Sequence, residues 1–215
     1  MKLDPRAWRG LYAIIDVEAC GARPPTEIAA AVLAGGCAVL QLRAKHSNEA
    51  ETRELARALQ ALCARADVPF VLNDHVGLAA ELGADGVHLG QSDMPLSRAR
   101  AIAARACIGL STHSLAQALA AEQLGADLIG LGPVFATTSK ANPDPVVGLT
   151  ALRSIVARTT LPIVAIGGVD LTNINQVAET GVPLVACIGA ICKAEDPRSA
   201  AAALHARVIH YAAEC

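Results

Sequence analysis

Leu82-Gly-Ala-Asp-Gly-Val-His-Leu-Gly90 is echoed by Leu124-Gly-Ala-Asp-Leu-Ile-Gly-Leu-Gly132, which begins 42 residues later. Each stretch reads as the end of a helix, a glycine suited to cap it, a tight turn holding Asp, a short apolar strand and a second glycine. The offset matches two βα units of about 21 residues each. Asp85 and Asp127 are turn residues on this reading, not catalytic ones.

Working outward from the echo, the same alternation covers the chain. Short apolar, often β-branched runs predict strands at Leu11–Ile15, Ala38–Leu42, Phe70–Leu72, Gly86–Leu89, Ile108–Leu110, Leu128–Leu131, Ile163–Ile166 and Leu184–Ile188. Ala-rich helical segments follow them at Pro25–Ala34, Asn48–Ala66, Val76–Leu82, Leu96–Arg105, Leu115–Leu124, Leu149–Arg158, Asn173–Thr180 and Asp196–Ala213. Asn48, Ser114 and Pro197 are good residues for helix starts. Eight βα units predict an α/β protein with one domain over 1–215, a (β/α)8 TIM barrel near the lower size limit of that fold. A doubly wound open sheet is the alternative. It lacks its Gly-rich first turn here, because Leu11-Tyr-Ala-Ile-Ile-Asp16 runs straight into Val17-Glu18-Ala19.

Composition narrows the function. The 215 residues carry a formal charge of -2, with 53% hydrophobic, 18% charged and 2% aromatic residues. That excludes a generally basic nucleic-acid surface, and few aromatics remain for base stacking. No uninterrupted apolar run approaches the roughly 18 residues of a transmembrane helix. The N-terminus, with Asp4, Pro5, Arg6 and Arg9, lacks the apolar core of a secretion signal, so a cytoplasmic location is expected. The seven cysteines include no Cys-x-x-Cys pair and read as reduced structural residues. The sequence leaves open whether the chain forms a homo-oligomer.

A barrel keeps its chemistry at the C-terminal ends of its strands. There the sequence delivers Gln41, Arg43 and Lys45; Asn73 and Asp74; Gly90-Gln-Ser-Asp93; Ser111-Thr-His113; Gly132 to Lys140; Gly167-Gly168; and Ile188-Gly189. Arg43, Lys45 and Lys140 are three cations for one rim of a near-neutral protein, suited to phosphate oxygens. Asp74 and Asp93 beside them suit Mg2+, which typically takes one or two carboxylates and fills its shell with water and substrate phosphates. Gly167-Gly168 and Gly189 match the usual barrel phosphate site, where backbone N–H groups approach an anion. Two anion sites in one mouth point to two phosphorylated small-molecule substrates and to group transfer with diphosphate leaving. Bland readings stand beside each signal. Gln41 and Arg43 could fill a polar barrel layer, Asp74 and Asp93 could cap helices, and His88 could be a satisfied core or rim histidine. His113 could simply bond backbone.

Taken in order, Gln41-Leu-Arg-Ala-Lys45, Asn73-Asp74, Gly86-Val-His-Leu-Gly-Gln-Ser-Asp-Met-Pro95, Gly109-Leu-Ser-Thr-His113 and Gly132-Pro-Val-Phe-Ala-Thr-Thr-Ser-Lys140 resemble the thiamine phosphate synthase family. The resemblance runs over nearly the whole chain. It implies the barrel fold and the joining of 4-amino-5-hydroxymethyl-2-methylpyrimidine diphosphate to a thiazole phosphate, giving thiamine phosphate and diphosphate. It implies that Gln41, Arg43, Lys45, Asn73 and Ser111 bind the pyrimidine diphosphate and that Asp74 and Asp93 hold Mg2+. Thr137, Thr138 and Ser139 belong to the thiazole site, Lys140 is a further diphosphate lysine, and the thiazole phosphate sits on Gly168, Ile188 and Gly189. Arg43, Lys45, Ser111 and Lys140 are the residues expected to assist catalysis. The sequence departs from the family pattern at Ala44 (usually Glu), Ala136 (usually Pro), Ser139 (usually Thr), Gly189 (often Ser) and Thr180-Gly-Val-Pro183. The loop after the sixth strand, through Asn142-Pro-Asp-Pro145, reads as a lid. Two alternatives are a related thiazole tautomerase using His113 and a non-catalytic barrel that binds a thiamine intermediate. Tautomerases usually lack the complete metal and diphosphate set.

Overall fold

The computed structural model describes residues 4–137 and 144–212. Its strands are β1 (Gly10–Asp16), β2 (Val39–Arg43), β3 (Phe70–Asn73), β4 (Gly86–Leu89), β5 (Cys107–Thr112), β6 (Leu128–Leu131), β7 (Ile163–Ile166) and β8 (Leu184–Cys187). They pair in parallel in sequence order, and β8 closes onto β1. This is the (β/α)8 barrel expected from the alternation. The helices are α1 (Val17–Cys20), α2 (Pro25–Gly35), α3 (Glu49–Ala66), α4 (Val76–Leu82), α5 (Leu96–Ile102), α6 (Leu115–Gln123), α7 (Gly148–Val156), α8 (Ile174–Ala178), α9 (Gly189–Cys192) and α10 (Pro197–Ala212). The expected helices after β4 and β7 are shorter than the sequence predicts, and Ile188 leaves its strand to become the N-cap of α9. The four-residue α1 and α9 were not expected. No helix among the described residues is long and apolar enough to cross a membrane.

Strand alternation separates two packing layers. Tyr12, Ile14, Val39, Val71, Cys107, Leu128, Val164, Leu184 and Ala186 point inward and pack together, with Trp8 joining them at the N-terminal end. Leu11, Ala13, Ile15, Leu40, Leu42, Phe70 and Leu72 point outward into the layer beneath the helices. Ala44, where the family usually has Glu, is buried in that outer layer. The six cysteines among the described residues are buried, as their apolar surroundings predict; Cys215 lies outside them.

The local signals act as read. Asn48 and Glu51 form a reciprocal capping box at the start of α3, and Ser114 caps α6. Gly83 ends α4 in the left-handed conformation. The echoed aspartates have one structural job in common. Asp85 accepts from the Phe70 N–H at 2.9 Å, and Asp127 accepts from the Ile108 N–H at 2.7 Å. Each thus satisfies a donor at the start of the preceding strand, on the face opposite the candidate site.

At that same face of β1, the Leu11 N–H donates to His205 Nδ1 at 3.2 Å. The imidazole must be neutral there to accept, and burial holds it below its ordinary range. Such a group favours the fold when deprotonated, so its contribution is complete above the unfolded value of 6.5 and is lost as pH falls below it. Melting temperature is expected to fall between pH 7.5 and pH 5. His205→Gln, which keeps an acceptor but does not titrate, should flatten that slope. An identical slope in the variant would assign the pH dependence elsewhere.

Candidate active site

The C-terminal mouth of the barrel holds a cavity of about 400 Å³. Its floor is set by the inward positions of β1 to β4. Register places Ile14 beside Gln41, Gln41 beside Val71 and Asn73 beside His88. Tyr12 donates its hydroxyl to Gln41 Oε1 at 2.8 Å, and Gln41 Nε2 donates to Asn73 Oδ1 at 3.1 Å. All three side chains are nine-tenths or more buried. Gln41 therefore fills a polar barrel layer and lines the cavity at once, so the two readings of it are compatible.

Across the floor, His88 Nε2 lies 3.0 Å from Ser111 Oγ. The imidazole occupies space vacated by two glycines: a Cβ on Gly109 would come within 2.5 Å of the ring, and one on Gly130 within 3.1 Å. His88 is thus a packed histidine that fixes the hydroxyl of a predicted substrate-binding serine.

Lys45, Asp74 and Asp93 gather beside the cavity. Lys45 Nζ pairs with Asp74 Oδ2 at 3.1 Å. Asp93 does not cap the following helix, whose N-cap is Pro95; its Oδ2 accepts from the Gly90 N–H at 2.6 Å. Asp74 is not a helix cap either, since His75 takes that place in α4. Burial raises the Asp74 carboxyl above its ordinary range and its hydrogen bond with Asp93 raises it further, against the pull of Lys45. For Asp93 burial acts upward, but the bond to Asp74, the Gly90 amide and the charges of Lys45 and His88 hold it below the ordinary range. The two carboxyls are near enough for each to shift the other's titration. A divalent cation relieves that repulsion, so this pair fits Mg2+. Among the described residues no group of three or more His, Cys, Asp and Glu gathers as a metal site.

Arg43 sits differently from a free rim cation. Its guanidinium bonds the carboxylate of Asp16, the last residue of β1, and its side chain is 14% exposed. Asp16 also accepts from the Ala19 N–H at 2.8 Å, capping α1. Sequence reading missed Asp16 and Tyr12. The position of Asp16 at a strand end was the available signal; Tyr12 gave none, because its partner is chosen by register.

On the β6 to β8 side, Thr137, Gly168, Ile188 and Gly189 line the cavity. The paired glycines have a structural duty as well. A Cβ on Gly167 would lie 2.5 Å from Pro133, and one on Gly168 would lie 2.4 Å from the Ala136 carbonyl oxygen. Their small size lets the loop after β6 lie against β7, with the Val134 N–H donating to Ile166 at 2.8 Å and that of Phe135 to Gly167 at 3.0 Å. His113 is engaged at both ring nitrogens, with the Gly132 carbonyl at 2.6 Å and Asp144 at 3.3 Å. Thr138, Ser139 and Lys140, and most of the expected lid, lie outside the described residues.

Comparisons with known proteins give one family and one fold. The family model described as thiamine monophosphate synthase matches residues 11–191. A thiamine-phosphate synthase of Herpetosiphon aurantiacus is 44% identical over 193 residues, covering 90% of this chain and 93% of that protein. One of Laribacter hongkongensis is 43% identical over 204 residues, covering 94% and 96%. The solved thiamine phosphate pyrophosphorylase of Pyrococcus furiosus superimposes with a TM-score of 0.87 at 38% identity, covering 94% of this chain and 96% of its own. A 3-hexulose-6-phosphate synthase, at 21% identity and a TM-score of 0.68, shares the fold.

Proposed function

The chain belongs to the thiamine monophosphate synthase family, and from that premise we propose how its rim carries out the reaction. The chain is an enzyme that condenses 4-amino-5-hydroxymethyl-2-methylpyrimidine diphosphate with thiazole phosphate, releasing diphosphate. The observation that carries the residue-level reading is the cluster of Lys45, Asp74 and Asp93 next to the Gln41–Asn73 pair.

Gln41, Asn73 and Ser111 hold the pyrimidine half, with His88 fixing the direction of the Ser111 hydroxyl. Lys45 and Arg43 face the diphosphate, joined by Lys140 on the strength of the resemblance. Asp16 aims the Arg43 guanidinium and limits its swing, so its charge is placed before substrate arrives. Asp74 and Asp93 would hold Mg2+, which when bound neutralises charge on the departing diphosphate. Thr137, Gly168, Ile188 and Gly189 hold the thiazole phosphate, with Thr138 and Ser139 added by resemblance.

The substitution is dissociative. The bond from the pyrimidine methylene to the diphosphate oxygen breaks first, and its electron pair leaves with the diphosphate. The aminopyrimidine ring delocalises the positive charge left on the methylene. The thiazole nitrogen then donates its lone pair to form the new C–N bond. No side chain need bond covalently to substrate. The barrel supplies position, charge complementarity and shelter from water.

The test supplies purified protein with pyrimidine diphosphate, thiazole phosphate and Mg2+ and monitors thiamine phosphate. Product that requires all three components is expected, and chelation should abolish it. Bound ligands without product would overturn the assignment in favour of a binding barrel.

A further inference from the structure

We propose that Tyr12 is a positioning residue that sets the hydrogen-bond polarity of the cavity floor, so that Asn73 presents N–H to the substrate ring and selects a ring nitrogen that accepts. The inference rests on the reading of the floor as the pyrimidine site and adds what decides between ring types.

The argument follows the protons. A phenol hydroxyl has one proton to give. Tyr12 is 2% exposed and gives that proton to Gln41 Oε1 at 2.8 Å. Burial pushes the phenol far above its ordinary range, so it keeps the proton. With Oε1 committed to Tyr12, the other end of the Gln41 amide is Nε2, which donates to Asn73 Oδ1 at 3.1 Å. Asn73 Oδ1 is then the accepting end of its own amide, and Nδ2 points the other way. No buried side-chain nitrogen or oxygen among the described residues lacks a partner, and Asn73 lines the cavity. Nδ2 therefore opens onto the cavity as a donor.

Reversing one amide alone would set donor against donor or acceptor against acceptor at the next link. Reversing both would make the Tyr12 oxygen accept from Gln41 Nε2 and strand its buried hydroxyl proton, which has Gln41 as its one hydrogen-bond partner among the described residues. The relay thus runs one way because Tyr12 starts it. A 4-aminopyrimidine carries ring nitrogens with free lone pairs. Its 4-oxo counterpart carries a ring N–H at position 3 in its usual tautomer and would meet Asn73 donor to donor. Removing the Tyr12 hydroxyl frees Gln41 and then Asn73 to turn over, and the floor can accept either ring.

Tyr12→Phe tests this, since it removes one oxygen and keeps the packing. The expected result is a fall of about tenfold in the preference for the 4-amino over the 4-oxo pyrimidine diphosphate, the scale of one mispaired buried hydrogen bond. KM for the 4-amino substrate should rise, while inhibition by inorganic diphosphate with Mg2+ stays within about twofold. A merely structural loss would move both. Independently of activity, the Gln41 side-chain amide protons should exchange with solvent slowly in the wild type and faster in the variant. Unchanged preference, or a diphosphate inhibition constant that shifts as much as KM, overturns the proposal. Unchanged amide exchange overturns it too. Wild-type protein that makes no thiamine phosphate would instead overturn the pyrimidine reading, and the exchange measurement alone would then judge the relay. If Tyr12→Phe does not fold, Gln41→Glu serves: it still accepts from Tyr12 but has no N–H for Asn73, and the same loss of preference is expected.

Discussion

Asp74→Asn is expected to lower kcat/KM by about 10²- to 10³-fold, the scale seen when a group that stabilises developing charge is removed. Asparagine is the right replacement because Asp74 has φ of 66°. Asn tolerates that left-handed conformation better than Ala does, so the loss reports on charge and not on backbone strain. The change removes the charge of one of the two neighbouring carboxylates and turns the 3.1 Å ion pair of Lys45 into at most a neutral hydrogen bond. Mg2+ should then support the residual rate only at higher concentration, because one anionic ligand remains. Asp85→Asn is the control. Its carboxylate accepts from the Phe70 N–H at the far end of the barrel, so it should lower melting temperature and spare turnover. A variant at Asp74 with wild-type Mg2+ dependence would remove the carboxylate pair from the mechanism.

The contrast between these two aspartates shows what a sequence reveals. Asp85 was legible as a turn residue because its repeat partner Asp127 sits in the same phrase, and the two have the same structural role. The strands were legible because apolar runs of a few residues between turn signals have few other readings. The outward ends of those strands could therefore be read as one rim, and Gln41, Asn73, Ser111, Gly168, Ile188 and Gly189 do line one cavity. What depends on register was not legible. Whether Tyr12 meets Gln41, or Asp16 meets Arg43, turns on a pairing offset that no local pattern encodes, and a slip of one residue would reverse every side chain. The four-residue α1 and α9 are too short for a helical period to appear. The role of Gly167 and Gly168 was half read. Proximity to an anion was expected from the fold, but the close approach of the loop after β6 comes only from three-dimensional packing.

That packing makes Gly168→Ala the second large effect. Gly168 has φ of 64°, and a Cβ there would lie 2.4 Å from the Ala136 carbonyl oxygen and 2.8 Å from Phe135 Cβ. The first is a backbone atom that cannot rotate aside. Nor can the Gly168 peptide turn freely, because Asn173 Nδ2 donates to its carbonyl at 2.8 Å. The loop must therefore move, and it carries Thr137, which lines the cavity. KM for thiazole phosphate is expected to rise at least about tenfold, with melting temperature falling by several degrees as left-handed strain and overpacking combine. KM for the pyrimidine diphosphate should change less, since Gln41, Arg43, Lys45, Asn73 and Ser111 lie on or just after β2, β3 and β5 and only Lys140 of its predicted residues belongs to the segment after β6. Gly189→Ser gives the opposite sign at the same subsite. Gly189 has no positive φ, and the nearest atom to its added Cβ is Lys193 Cδ at 4.0 Å, so the side chain enters open space. It restores the hydroxyl that the family often has there and should lower KM for thiazole phosphate a few-fold. If Gly168→Ala raised both KM values equally, the two walls would not be separate subsites, and the β6 loop would instead be supporting the barrel mouth as a whole.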